Sequence, residues 1–245
     1  MGKLSGKVAV VTGASKGIGA GIAQELAAQG ASVVVNYASS KEGAEKVVAA
    51  ITRTGGKAMT VGGSVTHAKD IDNLFAETRT AFGKVDILVN NAGSSPLAPS
   101  SLETPEQLFD RIVSLNFKGP FRLMSLVGSR MAAGDGGSII NISSAGALRP
   151  RPQIAPYAGA KAALNAITEA FAFEYGPKVR VNTISPGRFL TDVSKAWSEE
   201  HKLNPTAALK RSGQPEEIVT AALYLASSKS SFTTGSLVRV DGGIA

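Results

Sequence analysis

Short apolar runs rich in valine and isoleucine alternate with helical patterns along almost the whole chain. Such runs are typical of strands buried on both faces, and strands that alternate with helices form parallel sheets covered by helices. No linker, internal repeat or low-complexity segment interrupts the alternation. The pattern predicts an α/β fold with a doubly wound, mostly parallel sheet of about seven strands and helices on both faces, in one domain of residues 1–245. The predicted strands are Val8–Thr12, Ser32–Asn36, Ala58–Val61, Val85–Val89, Gly137–Ser143, Val179–Ile184 and Leu237–Val240.

A glycine-rich segment, Gly13-Ala-Ser-Lys-Gly-Ile-Gly19, follows the first predicted strand and leads into a helical pattern. Dinucleotide-binding units begin with a strand, a glycine loop and a helix in this order. The glycines let the backbone approach a pyrophosphate, whose charge is met by the amino end of the helix. The spacing is Gly-x-x-x-Gly-x-Gly rather than Gly-x-Gly-x-x-Gly, and a plain tight turn is the alternative for the loop taken alone.

The end of the second predicted strand bears on the choice between NAD and NADP. An Asp or Glu there would bind the ribose 2′-hydroxyl of NAD and would repel the 2′-phosphate of NADP. This chain has Asn36 instead, followed by Ser39 and Ser40, and it has Lys16 in the glycine loop. We therefore expect NADP, with NAD as the alternative. Ser39 or Ser40 would also serve as a cap for the next helix.

Tyr157 and Lys161 lie four residues apart, so on a helix they share one face. An ammonium group at this spacing favours the phenolate and is expected to lower the tyrosine pKa, which suits proton exchange with an alcohol or ketone oxygen. Ser144 lies just past the fifth predicted strand, where its hydroxyl would hold the same oxygen. The spacing alone is weak evidence, because a solvated lysine below a half-buried tyrosine gives the same pattern.

Two further segments near these residues carry predictions. Thr104-Pro-Glu-Gln107 has the sequence of a capping box, and the helix it would open continues to Phe121 and contains Asn116. A polar amide within such an apolar stretch needs a hydrogen-bond partner. Residues 188–205 have few strong patterns, and we interpret them as a mobile cover over the site.

Composition excludes several kinds of site and partner. The chain has no cysteine, and its two histidines, His67 and His201, are too few for a catalytic zinc site, so no metal is expected. The net charge of +7 is spread along the chain, which favours attraction of an anionic cofactor or substrate over nucleic-acid binding. No apolar run is long enough to span a membrane, and the amino terminus lacks a signal-peptide core. We therefore expect a cytoplasmic protein without a membrane partner.

In this order, the motifs resemble the short-chain dehydrogenase/reductase family, in its compact single-domain branch with the Rossmann fold. The resemblance covers essentially the whole chain and is carried by Thr12–Gly19, Asn90-Asn-Ala-Gly93, Asn116, Ser144, Tyr157-x-x-x-Lys161, Ser185-Pro-Gly187, Arg211-x-Gly-x-Pro-Glu-Glu217 and Val240-Asp-Gly-Gly243. It implies an NADPH-dependent carbonyl reductase that also works as an alcohol dehydrogenase. It further implies a homotetramer built on the helices that hold Asn116 and Tyr157.

The resemblance also implies roles for the matching residues. Tyr157 would be the general acid or base, Lys161 would lower its pKa and hold the nicotinamide ribose, and Ser144 would orient the substrate oxygen. Asn116 would fix a water that relays protons to Lys161. The other cofactor-binding positions would be Gly13, Ser15, Lys16, Gly17, Ile18, Gly19, Ser64, Val65, Asn91, Ala92, Gly93, Pro186, Gly187 and Thr191. Many family members have an acidic residue where this chain has Ser64.

Alternatives to a simple carbonyl reductase stay open at this point. A 3-oxoacyl-thioester reductase is the nearest, because Arg149, Arg151 and Arg188 would attract an anionic carrier, although a solvated rim also explains these arginines. A dinucleotide-binding regulator without turnover is disfavoured because all four catalytic-type residues are present. Nucleic-acid binding is supported by the net charge alone.

Overall fold

The computed structural model describes residues 2–191, 194, 199–203 and 206–244. The strands form one seven-stranded sheet in the order β3-β2-β1-β4-β5-β6-β7, and every neighbouring pair is parallel. This confirms the predicted doubly wound α/β fold. The strands are β1 Val8–Val11, β2 Ser32–Tyr37, β3 Lys57–Gly62, β4 Ile87–Asn90, β5 Gly137–Ile142, β6 Val179–Pro186 and β7 Leu237–Val240.

Helices cover both faces of the sheet, because each central strand is apolar on both sides. One core packs α1, α2 and α8 against one face, and the other packs α3, α5 and α6 against the opposite face. Within β1, Ala9 and Val11 belong to the first core and Val10 to the second. The helices are α1 Gly17–Ala28, α2 Lys41–Arg53, α3 Ala68–Phe82, α4 Glu106–Val113, α5 Gly119–Ala133, α6 Ala155–Tyr175, α7 Glu199–Leu203 and α8 Glu216–Ala226. Among the described residues, no helix is long and apolar enough to cross a membrane.

The strand order reverses at β1, which pairs with β2 on one side and β4 on the other. The connections that leave these strands therefore diverge to opposite faces of the sheet and open a crevice at the carboxyl ends. Ligands of open parallel sheets bind at this kind of crevice. The topology alone thus fixes where a functional site is expected.

The predicted capping box is wrong. The residue before α4 is Pro105, which has no side-chain cap, and the Thr104 hydroxyl donates instead to the carbonyl oxygen of Ser100 at 2.9 Å. The single helix predicted through Asn116 is also interrupted, by a π-helical turn at Ser114–Lys118 between α4 and α5. Such turns often occur at functional sites, and this one holds the buried Asn116.

Candidate active site

A cleft of about 640 Å³ opens at the carboxyl ends of the central strands. Most of the sequence-predicted site residues line it, although they come from segments more than a hundred residues apart. These residues are Gly13, Ser15, Lys16, Gly17, Ile18, Gly19, Ser39, Ser40, Asn91, Ala92, Gly93, Ser144, Tyr157, Lys161, Pro186, Gly187 and Thr191. Four predicted residues do not line it: Asn36, Ser64, Val65 and Asn116.

The glycine loop forms one end of the cleft. Gly13 and Gly17 have φ values of +61° and +57°, a region that glycine adopts without strain. A Cβ atom on Gly13 would lie 2.8 Å from the Cα atom of Ala92, so only glycine allows this close approach. Helix α1 begins at Gly17, and no side chain caps its amino end or places a negative charge in its first turn. These features form a cradle for an anionic group such as a pyrophosphate.

Asn91 fastens the segment after β4 to the glycine loop. Its side-chain nitrogen donates to the carbonyl oxygens of Thr12 and Gly13, at 2.9 and 3.1 Å. The Thr12 hydroxyl accepts from the backbone N–H groups of Asn91 and Ala92, both at 3.0 Å. Sequence reasoning missed this role of Thr12. This role could have been predicted from the position of Thr12, a hydroxyl residue at the end of a buried strand and directly before the glycine loop.

The structure corrects the expectation that Asn36 contacts the cofactor. Asn36 is buried, and its side-chain nitrogen donates to the carbonyl oxygens of Val61 and Gly63, at 3.2 and 3.0 Å. Its side-chain oxygen accepts from the N–H of Gly13 at 3.4 Å. Asn36 therefore joins β2 to β3 and to the glycine loop. Asn36 bears on the choice of cofactor only because it is not a carboxylate, which would repel the 2′-phosphate of NADP.

Ser64 and Val65 also lie outside the lining of the cleft. The Ser64 hydroxyl is 2.8 Å from that of Thr66, and Val65 is buried in the second core. The backbone N–H of Ser64 donates to Asp70 at 2.9 Å, and this bond contributes most to lowering the pKa of that carboxylate. The sequence analysis did not identify the role of Asp70 in holding Ser64. Its position in the first turn of α3 was the signal.

Ser144, Tyr157 and Lys161 meet at the other end of the cleft. Ser144 follows β5, and its hydroxyl accepts from the N–H of Gly146 at 3.0 Å. Tyr157 and Lys161 are on α6, and the Lys161 ammonium nitrogen lies 6.0 Å from the centre of the Tyr157 ring. The ammonium donates to the carbonyl oxygen of Ile142 at 2.7 Å, which ties α6 to the end of β5.

Burial shifts the pKa values of both groups on α6. Desolvation raises the pKa of Tyr157, and the hydrogen bond with Ser144 opposes this shift. Desolvation also lowers the pKa of Lys161 to about 8. We expected Lys161 to lower the pKa of Tyr157, and this expectation is wrong because the pKa of Tyr157 is raised. The loss of water around the phenol has the larger effect.

Asn116 lies behind the cleft, beside Lys161. Its side-chain nitrogen donates to the carbonyl oxygens of Ser94 and Ile112, at 2.9 and 3.0 Å. Its buried side-chain oxygen has no hydrogen-bond partner among the described residues. A Cβ atom on Gly93 would lie 2.7 Å from this oxygen and 3.4 Å from the Lys161 nitrogen. An acceptor oriented in this way suits a bound water next to Lys161.

The last residue of β6 and the segment after it line the cleft with Pro186, Gly187, Phe189 and Thr191. Sequence reasoning missed Phe189, which is buried and also packs in the first core. The predicted cover over residues 188–205 falls partly on residues 192, 193, 195–198, 204 and 205, which lie outside the described residues. Within the described part of the chain, no cluster of side chains is suited to hold a metal ion.

The chain is similar to known oxidoreductases over essentially its whole length. A family model described as enoyl-(acyl carrier protein) reductase matches residues 13–245. An uncharacterized oxidoreductase of Methylorubrum extorquens is 46% identical over 250 residues, which cover 100% of both chains. A double mutant of the short-chain dehydrogenase/reductase of Serratia marcescens is 36% identical, with a TM-score of 0.93 over 99% of each chain. The angucycline C-6 ketoreductase with bound NADP is 33% identical, with a TM-score of 0.92 over 99% of this chain and 97% of that one.

Proposed function

The chain belongs to the short-chain dehydrogenase/reductase family of oxidoreductases, and on this premise we propose that it transfers hydride between NADP(H) and a carbonyl or secondary alcohol. The observation that carries the proposal is that Ser144, Tyr157 and Lys161 line the same cleft as the glycine loop. Proton-transfer groups and a dinucleotide cradle are thereby combined in one space. One of the similar solved structures is a ketoreductase with bound NADP, which agrees with this reaction.

The residues of the cleft fit a dinucleotide. The glycine loop and the uncapped amino end of α1 would hold the pyrophosphate, and Gly93, Pro186 and Thr191 would border the rest of the cofactor. When bound, the nicotinamide ring supplies or accepts the hydride. The role of the protein is to place the carbonyl carbon, hold its oxygen and exclude water.

NADP is favoured over NAD by the charges at the end of β2. Lys16, Ser39 and Ser40 line the cleft there, with one cation, two hydroxyl groups and no carboxylate among the described lining residues. A 2′-phosphate is attracted by Lys16 and accepts hydrogen bonds from the serines. Asn36 takes no part in this contact, because its amide is bonded to β3 and the glycine loop.

Tyr157 donates its proton to the carbonyl oxygen during reduction, and Ser144 orients that oxygen. Because burial raises the pKa of Tyr157, the phenol carries its proton at neutral pH and is ready to act as the acid. The positive charge of Lys161 then stabilises the phenolate that remains. A water held by the free oxygen of Asn116 relays a proton from solvent to Lys161, and this proton replaces the one that Tyr157 gave to the substrate. In alcohol oxidation the same groups act in reverse.

A 3-oxoacyl-thioester reductase is the second candidate, and one observation favours it. Desolvation, and then the charge of Arg151, lower the pKa of Arg188, and Arg188 directly follows Gly187, which lines the cleft. An anionic carrier would reduce the mutual repulsion of Arg151 and Arg188. The description of the matching family model also names an acyl carrier protein substrate. A β-ketoacyl thioester assayed beside simple ketones separates the two candidates.

We also propose a homotetramer that buries the outer surfaces of α5 and α6. Phe173 on α6 is 89% exposed and Phe121 on α5 is 44% exposed, although both are large apolar side chains. Several alanines on α6 would let a second copy of the helix approach closely. The molar mass from light scattering tests this, and Phe173→Glu is expected to give smaller species.

The experiment that tests the proposed function follows the oxidation of NADPH by its absorbance in the presence of a panel of ketones, with NADH in parallel. We expect ketone-dependent oxidation and a higher kcat/KM for NADPH. Tight NADPH binding without turnover of any ketone, thioester or alcohol would instead support a dinucleotide-binding regulator. A preference for NADH would contradict the interpretation of Lys16, Ser39 and Ser40.

A further inference from the structure

We infer that the preferred substrate carries its carbonyl or hydroxyl group on a bulky apolar body, such as fused rings, rather than on a polyhydroxylated chain. The inference rests on the proposed function, because it concerns the substrate end of the same cleft. It is drawn from the side chains that remain around Tyr157 and Ser144 once the cofactor-binding residues are set aside.

The substrate end of the cleft offers few hydrogen-bonding groups. Apart from the catalytic groups, its described lining consists of Ser94, Ser95, Ser143 and three apolar residues. Ser143 is already committed, because its hydroxyl donates to the backbone carbonyl oxygen of Lys161 at 3.3 Å. No Asp, Glu, Gln, His or Arg side chain is among the described lining residues. A sugar bound here would lose water from several hydroxyl groups without gaining partners, and such buried unpaired groups are costly.

Three apolar residues line the cleft that also contains Tyr157 and Ser144. Leu115 comes from the π-helical turn, Ile142 from the end of β5 and Phe189 from the segment after β6. They therefore approach the site from three different elements. Carbon atoms of a substrate that contact these side chains are removed from water, which favours binding in proportion to the apolar area.

Two exposed leucines lie in the loop that continues from the cleft. Ser94 and Ser95 line the cleft, and the loop that continues from them exposes Leu97 and Leu102, by 68% and 95%. Single exposed leucines are common on protein surfaces. Here, however, both belong to one short loop that leaves directly from the substrate end of the site.

Hydrogen bonds hold this loop in a defined position. The backbone N–H of Ala98 donates to the carbonyl oxygen of Gln153 at 3.2 Å, just before the helix that carries Tyr157. The Ser100 hydroxyl donates to Glu103 at 2.7 Å and closes the turn that carries Leu102. The loop is thus held against the segment before α6, and both leucines are exposed rather than packed in a core. An apolar substrate body that extends out of the cleft would cover them.

The test measures the oxidation of three alcohols by NADP⁺. The alcohols are 2-tetralol, cyclohexanol and D-glucose. The first two are secondary alcohols on a fused bicycle and on a single ring, and the third is polyhydroxylated. We expect kcat/KM for 2-tetralol to exceed that for cyclohexanol about tenfold and that for D-glucose by more. The variant Leu97→Ser/Leu102→Ser is expected to raise KM for 2-tetralol about three- to tenfold. Its KM for cyclohexanol and its affinity for NADPH should stay unchanged.

The control is Phe232→Ser, which removes a fully exposed aromatic side chain before the amino end of β7, at the opposite edge of the sheet. It should leave all three alcohols unaffected. Equal or better use of D-glucose, or an unchanged KM for 2-tetralol in the leucine variant, would overturn the inference alone. Failure to oxidise any of the three alcohols, in a protein that reduces other ketones or thioesters, would overturn the inference alone. Failure to turn over any alcohol, ketone or thioester with either coenzyme would overturn both the inference and the proposed function.

Discussion

The side-chain nitrogen of Lys161 lies 6.0 Å from the centre of the Tyr157 ring, yet its hydrogen bond goes to the carbonyl oxygen of Ile142. The two residues are thus neighbours without being directly bonded. Lys161 is buried and Tyr157 is half-buried. Desolvation is the cause of the lowered pKa of Lys161 and the larger of the two influences on the raised pKa of Tyr157. The cation is available to stabilise a phenolate once the proton has left, while the resting phenol stays protonated.

Replacing Tyr157 by phenylalanine removes the proposed acid and leaves the ring in place. We expect kcat for ketone reduction to fall by about 10²–10⁴-fold, the range for loss of a general acid, with the NADPH dissociation constant nearly unchanged. Steady-state assays and fluorescence titration of NADPH measure the two quantities. Tyr175→Phe is the matched control on the same helix, because Tyr175 packs in the second core far from the cleft. Wild-type turnover by Tyr157→Phe would defeat the mechanism.

Lys161 should make the stability of the protein depend on pH. Its pKa falls from 10.5 to about 8 on folding, so between these values the unfolded chain binds more protons than the folded chain. The free energy of unfolding therefore rises with pH in this window, and the buried charge is most destabilising below pH 8.

The comparison with Lys161→Met isolates this effect, since the variant has no titrating group at this position. Between pH 8 and 10.5 the wild type should gain stability relative to the variant by an amount on the order of 3 kcal/mol. Urea unfolding at a series of pH values measures the difference. Parallel stability profiles for the two proteins would show that the ammonium is not destabilised by burial.

Lys16 should distinguish the two coenzymes. Removing its charge with Lys16→Ala is expected to raise KM for NADPH about five- to twentyfold, with little change for NADH, because only NADPH carries the 2′-phosphate. Lys57→Ala removes the same charge at the amino end of β3, at the other edge of the sheet, and serves as the control. An equal loss for both coenzymes would place Lys16 at the shared pyrophosphate instead.

Gly19 should tolerate no side chain. A Cβ atom there would collide with the Asn91 amide and would lie 2.9 Å from the carbonyl oxygen of Gly13. Gly19→Ala is therefore expected to break the bonds between the glycine loop and Asn91 and to weaken NADPH binding at least about tenfold.

Gly21→Ala is the matched control, on the same helix α1. Its nearest neighbour would be a methyl group of Val219 at 3.3 Å, which can shift. We expect the stability of this variant to stay within about 1 kcal/mol of wild type, because alanine also favours the helix. Calorimetry and NADPH titration of both variants provide the comparison. Normal cofactor binding by Gly19→Ala would show that the loop does not need this close contact.

The sequence by itself determined the order of strands and helices, and with it the edge of the sheet where the site lies. Apolar periodicity is a local property, and parallel strands place all their carboxyl ends on one edge. Gly13, Ser144 and Pro186 each follow or end a strand, so their convergence could be predicted without coordinates. The positions of Tyr157 and Lys161 on one helix face followed from their spacing.

Only the tertiary structure decided where individual polar side chains point and how burial changes their pKa values. Asn36 binds the backbone of Val61 and Gly63, partners that no pattern near residue 36 reveals. The pKa of Tyr157 rises because neighbouring groups exclude water from the phenol. This effect is larger than the lowering of the pKa that the nearby Lys161 led us to expect. Hydrogen-bond partners and desolvation depend on groups remote in sequence. Hydrophobic periodicity and the order of strands and helices along the chain do not.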